Sequence, residues 1–111
     1  MTTGIVYDDI YLEHNIGNHP ESHHRLISIM DFLKEKKLLE DPNFKIIAPR
    51  KASLDQIRYV HKESMIKELQ DICELSAKTH RLQYIDMDTI ASPKTYEASL
   101  YSVGGNLQAV D

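Results

Sequence analysis

Residues His19–Leu33 read HPESHHRLISIMDFL, and three signals overlap in them: a helix start, a histidine cluster and an arginine beside an apolar stripe. Pro20 presets φ for a first helical turn, and Glu21 puts negative charge where the helix dipole favours it. A helix is therefore expected from here to about Lys37. Leu26, Ile29, Met30 and Leu33 recur at three- and four-residue spacing and form one stripe, with Arg25 at its border. His19, His23 and His24 fall on the first turn and a half.

The segments flanking this helix decide the fold class. Thr3–Tyr7 (TGIVY) has β-branched residues and no helical period, so it reads as a buried strand, followed by a polar loop over Asp8–Asn18. Asp41, Pro42 and Asn43 supply a turn, and Phe44–Ala48 (FKIIA) forms a second strand stopped by Pro49. A strand–helix–strand unit over 3–48 has the size that closes a parallel crossover, which points to an α/β architecture.

Two helices are expected over 53–78. Ser53 and Gln56 make a capping box, with Leu54, Ile57 and Val60 on the buried side. Lys62–Lys78 then carries Met65, Ile66, Leu69, Ile72 and Cys73 on one face. Tyr84–Asp88 reads equally as short strand or loop. Ser92 as cap and Pro93 at the first helical position start a final helix over 93–111, striped by Tyr96, Leu100, Val103, Leu107 and Val110. Gly104 and Gly105 lie inside it, where they permit close approach of a neighbouring backbone. This helix reaches Val110 without a stop signal, and two parallel strands are few for a self-sufficient sheet. The 111 residues are thus expected to be the N-terminal segment of one longer domain.

Composition narrows the function. A net charge of -4 with 13 basic residues leaves no concentrated positive patch, which argues against direct nucleic-acid binding. There is no long apolar run and no signal-peptide pattern, so no membrane association is expected and the chain reads as soluble and intracellular. Cys73, the single cysteine, reads as a small core hydrophobe and not a nucleophile.

Several side chains invite a chemical reading. His14, His19, His23 and His24 suggest zinc, but their spacing matches no helix-borne HExxH pattern, and the adjacent His23 and His24 should diverge on a helix. A hydrogen-bonded cluster without metal is expected. A guanidinium such as that of Arg25 is costly to bury unless carbonyls, carboxylates or an anionic ligand meet it; a snorkelling arginine is the alternative, and the residues alone leave both open. Asp88, four residues before Ser92, fits a turn aspartate or an acceptor for a peptide-like ligand. Tyr96 and Tyr101 read as packing residues. No phosphate loop, nucleophile elbow or CxxC pair is present.

Taken together, HPESHHRL, FKIIAPRKA, IRYVH over 57–61 and DTIASPKTYEASLYSVGGNLQAVD resemble the N-terminal part of the histone deacetylase superfamily. The resemblance is to its class II and prokaryotic acetoin-utilisation and acetylpolyamine deacetylase-like branches. The motifs run in family order from Gly4 to Asp111. The resemblance implies an arginase/deacetylase-like parallel-sheet domain, helix-rich with two or three short strands in this part. It also implies zinc-dependent hydrolysis of an acetyl amide in the full-length protein, on acetylated lysine or a small acetylated amine.

The family's tandem histidines, zinc ligands and catalytic tyrosine lie beyond the motifs matched here, so no catalytic residue and no bound zinc are expected in this segment. His23 and His24 do not fill that gap. By position, Arg25 matches the arginine lining the internal cavity below the zinc, and Asp88 the rim aspartate that bonds substrate backbone. A cytoplasmic location follows, or a nuclear one in a eukaryote. The alternative is a non-catalytic helical interaction module derived from the same front half; a small histidine metal-binding protein ranks below both. Exposed helix stripes would favour self-association of the chain by itself.

Overall fold

Two strands of β-branched residues, β1 (Thr3–Val6) and β2 (Phe44–Ile47), pair in parallel with Thr3 opposite Phe44 and Val6 opposite Ile47. This is a computed structural model, and it describes residues 2–87 and 89–110. The ladder is extended at both ends: Thr3 N–H donates to Asn43 O at 2.6 Å and Tyr7 N–H to Ile47 O at 3.2 Å. A parallel pair needs a long connection. Here it consists of a 3-10 turn over Asp9–Glu13, helix α1 (His24–Glu35) and a second 3-10 turn over Leu38–Glu40.

Helix α1 starts at His24, later than Pro20 suggests. His19 Nδ1 accepts the Glu21 N–H at 3.0 Å, and Arg25 N–H reaches only Ser22 O at 3.2 Å, so residues 20–23 form successive turns before regular bonding begins. The Glu21 N–H, which a helix starting at Pro20 would leave as a first-turn donor, is taken by the His19 ring. Met30 is buried on this helix, Leu26 and Leu33 are half-buried, and Ile29 and Phe32 are exposed.

Helix α2 (Leu54–Arg58) opens with the expected box: Gln56 N–H donates to Ser53 Oγ at 3.2 Å and Ser53 N–H to Gln56 Oε1 at 3.0 Å. It ends at Arg58, so Val60 falls outside the helix and is 82% exposed instead of joining its buried side. Helix α3 (Glu63–Thr79) buries Ile66, Cys73 and Ser76, while Met65 remains on its exposed flank. The stretch that reads as strand or loop forms a hairpin, with β3 (Gln83–Tyr84) antiparallel to β4 (Ile90–Ala91).

Helix α4 (Thr95–Val110) is the packing centre, but not through the anticipated stripe. Thr95, Ala98, Leu100, Gly104 and Gly105 are buried; of the five stripe residues only Leu100 is, and Val110 is 86% exposed. Thr95, Ala98 and Gly105 fall within about 80° on the helix, with Leu100 and Gly104 on the other side. Small residues are buried because a backbone segment lies against the helix at Gly104 and side chains close in at Gly105. A Cβ added at Gly104 would stand 1.7 Å from Arg50 O, and one at Gly105 would stand 2.6 Å from Tyr11 Oη and 2.9 Å from Val6 Cγ1. Ala52 N–H donates to Leu100 O at 3.1 Å across this contact. The glycine pair thus does what its place in the sequence suggests.

Ordinarily Gly→Ala in a helix interior gains about 1 kcal/mol. At position 104 the blocking atom is backbone, which cannot rotate aside. Gly104→Ala is expected to cost at least about 2 kcal/mol in urea unfolding, and a net gain would contradict the packing.

Candidate functional site

The cleft that gathers polar side chains lies between the Asp9–Glu13 turn, α1 and α4. One concavity of about 260 Å³ is lined by Tyr11, His14, Glu21, Ser22, His23, Arg25, Leu26 and Ile29. A second, of about 350 Å³, is lined by Tyr11, His14, Leu26, Ala98, Ser99 and Ser102. Tyr11, His14 and Leu26 border both, so the two form one continuous feature.

Arg25 is the second residue of α1 and faces the first concavity. Its guanidinium is ion-paired with Glu21 one turn earlier, and the two side chains are 62% and 72% exposed. Such a pair is worth less than about 1 kcal/mol, so Glu21 is a weak occupant that a ligand carboxylate or carbonyl could displace. Asp88, the other substrate-side candidate, lies outside the described residues. Its neighbours form a turn in which Thr89 N–H donates to Asp86 Oδ1 and Ile85 N–H to Thr89 O, both at 2.8 Å.

Opposite Arg25, Tyr11 donates its hydroxyl to Tyr101 O at 3.2 Å, and burial raises its pKa with help from Asp8. His14 Nδ1 lies 2.7 Å from Thr95 Oγ1. Thr95 Oγ1 also accepts Ser92 N–H at 2.7 Å and lies 2.9 Å from Ser92 Oγ, whose own hydroxyl donates to Glu13 O at 3.2 Å. Counting protons settles the directions. Ser92 has spent its hydroxyl hydrogen, so Thr95 donates to Ser92 and accepts from His14; the imidazole carries its hydrogen on Nδ1. Burial lowers the His14 pKa, and nearby His23 lowers it further.

The other histidines are not organised as ligands. His19 caps the turn before α1, and the His23 and His24 rings, expected to diverge, lie 4.1 Å apart. His23 is half-buried and its Nδ1 has no partner among the described residues. Among those residues no three His, Cys, Asp or Glu side chains are grouped to hold a metal. Cys73 is buried, and burial raises its pKa despite the Thr95 and Tyr96 amides directed at it, which fits a packing role. No helix among the described residues is long and apolar enough to cross a membrane.

Sequence reasoning singles out Arg25 by its place on the stripe but passes over Tyr11 and Thr95. Thr95 lacks a local signature, since its histidine partner is 81 residues away. The Ser-x-x-Thr spacing of Ser92 and Thr95 is the available hint.

His14 predicts a pH dependence. With its folded pKa below the ordinary 6.5, the unfolded chain takes up the proton first as pH falls, so this contribution to stability is intact above 6.5 and lost below it. Stability should fall as pH drops through about 6.5, and His14→Asn should fall less; equal losses in urea unfolding would contradict the shift.

Residues 19–111 match the family model described as the histone deacetylase domain. A probable deacetylase of Archaeoglobus fulgidus is 34% identical over 110 residues, covering 98% of this chain and 29% of that protein. The crystal structure of the HDA15 HD domain superposes with a TM-score of 0.78 at 20% identity, over 92% of this chain and 29% of that one. The chain thus spans under a third of the length of the proteins it matches, and its fold is that of the corresponding part of a histone deacetylase domain.

Proposed function

Because the chain belongs to the histone deacetylase family, we propose that it supplies the N-terminal portion of a zinc-dependent deacetylase that hydrolyses acetyl amides such as acetyl-lysine or an acetylpolyamine. The observation that carries this reading is the family match over 19–111 together with Arg25 at the border of a cleft that also gathers Tyr11 and His14. The described residues do not fit a zinc site. In this reading the metal and the proton-transferring groups belong to the rest of the domain, and the whole has the arginase-like parallel sheet.

This chain's own contribution is to bind and orient. Arg25 presents five N–H donors at the cleft, held in place by a pair weak enough to exchange for a ligand oxygen. Asp88 is assigned to the rim, where its carboxylate would accept N–H bonds from the acetylated substrate and from peptide-like backbone. A cytoplasmic or nuclear setting suits such substrates.

A second reading, a non-catalytic interaction module, is favoured by the apolar side chains left open on α1 and β2: Ile29 51%, Phe32 54% and Ile46 43% exposed. Under it the chain self-associates or binds a partner through these residues, and substitutions at Arg25 are silent.

In the full-length protein, Arg25→Ala should lower kcat/KM on an acetyl-lysine peptide by at least about tenfold, the scale of a lost charge-assisted contact, with His23→Ala closer to wild type. The reverse ranking would overturn the assignment. Residues 1–111 alone, supplied with zinc, should give no turnover; clear hydrolysis would place the catalytic groups within this chain.

A further inference from the structure

Only two residue pairs join the strands of the β3–β4 hairpin. A hairpin that short is not stable by itself. Its two legs are treated differently. On the incoming leg Tyr84 is 68% and Met87 97% exposed, whereas on the outgoing leg Ile90, Ala91 and Ser92 are all buried. Besides packing against α3, the outgoing leg is held by polar groups from the far end of the sequence: Ser92 Oγ donates to Glu13 O, and Thr95 Oγ1, which accepts Ser92 N–H, is met by His14 Nδ1 at 2.7 Å.

We propose that His14 is a positioning residue: acting through Thr95 and Ser92, it clamps the strand end that leads out of the connection between β3 and β4 and so holds that connection in place. The inference rests on the reading of Asp88 as a substrate-rim residue, and it adds the part that holds the rim still. Thr95 Oγ1 is the hub. Its two lone pairs take the Ser92 amide and the His14 Nδ1–H, and its hydrogen goes to Ser92 Oγ. Every proton in the chain of four groups then has one acceptor. Removing the imidazole leaves a buried hydroxyl short of a donor and frees the turn before α4, which costs more than an exposed contact would. Asparagine is the informative substitute, because its Nδ2 can donate from the place of the imidazole Nδ1.

The test uses the full-length protein and two readouts. In His14→Ala, hydrogen exchange at the Ile90, Ala91 and Ser92 amides should quicken about three- to tenfold, the loss of about one net hydrogen bond. KM for an acetyl-lysine peptide should rise by a similar factor with kcat within about twofold, and His14→Asn should return both toward wild type. Asp88→Ala should also raise KM, and adding His14→Ala to it should raise KM little further, since the clamp acts through the turn.

Unchanged exchange in His14→Ala overturns the clamp. Raised exchange with an unaltered KM, in a protein where Asp88→Ala does raise KM, overturns the positioning role. An Asp88→Ala protein with normal KM instead overturns the rim reading and with it the substrate effect, while the exchange result is judged separately. Where His14→Ala does not fold, Ser92→Ala, which removes only the Glu13 bond and the contact with Thr95, is read by the same criteria.

Discussion

The approach of a backbone segment onto α4 at Gly104 is the contact on which the rest of the structure depends. Arg50 O occupies the space a side chain would need, and Ala52 N–H bonds to a carbonyl of the helix itself. The segment leaving the parallel strand pair is thereby fastened to α4 without side-chain intermediaries. One residue on, Gly105 admits Val6 of β1 and the Tyr11 hydroxyl. Tyr11 in turn bonds to Tyr101 O. Sheet, first turn and last helix meet along a few ångströms of glycine backbone.

The cleft is a consequence of that contact. With α4 drawn against the Asp9–Glu13 turn, His14 reaches Thr95 and is partly shielded from water, which lowers its pKa and keeps it neutral near pH 7. Arg25, by contrast, stays in solvent with Glu21 as its partner. The two sides of the cleft therefore differ in character. One is rigid, hydrogen-bonded and uncharged; the other is cationic, exposed and exchangeable. A cleft of this kind suits holding a ligand, and among the described residues no three His, Cys, Asp or Glu side chains are grouped to hold a metal. Under the proposed function, the chemistry falls to groups that this part of the domain positions and does not contain.

Much of the fold is legible in the sequence because its signals are local. The β-branched strands, the Ser53–Gln56 box and the purpose of the glycine pair can be read from neighbouring residues, and they appear in the structure. Misreading arises where local signals compete with distant partners. Pro20 looks like a helix start, but the His19 ring satisfies the next amide first. The α4 stripe looks like the buried face, but the distant segment at 50–52 takes the side bearing glycine. Val60 fits a helical period that the chain leaves two residues earlier. At the site, Arg25 can be found from the border of a stripe, whereas the bond from His14 to Thr95 spans most of the chain and leaves no periodic trace.

Exchange of a single amide hydrogen tests the central contact most directly. Ala52 follows β2 in an irregular segment, where an unbonded amide would exchange at the rate of an open loop. Its bond to Leu100 O predicts protection comparable to the interior of α4, by a factor of at least about a hundred over an open loop. Loop-like exchange at Ala52, with the α4 amides protected, would show that the segment does not lie on the helix and would contradict the central role of the Gly104 contact.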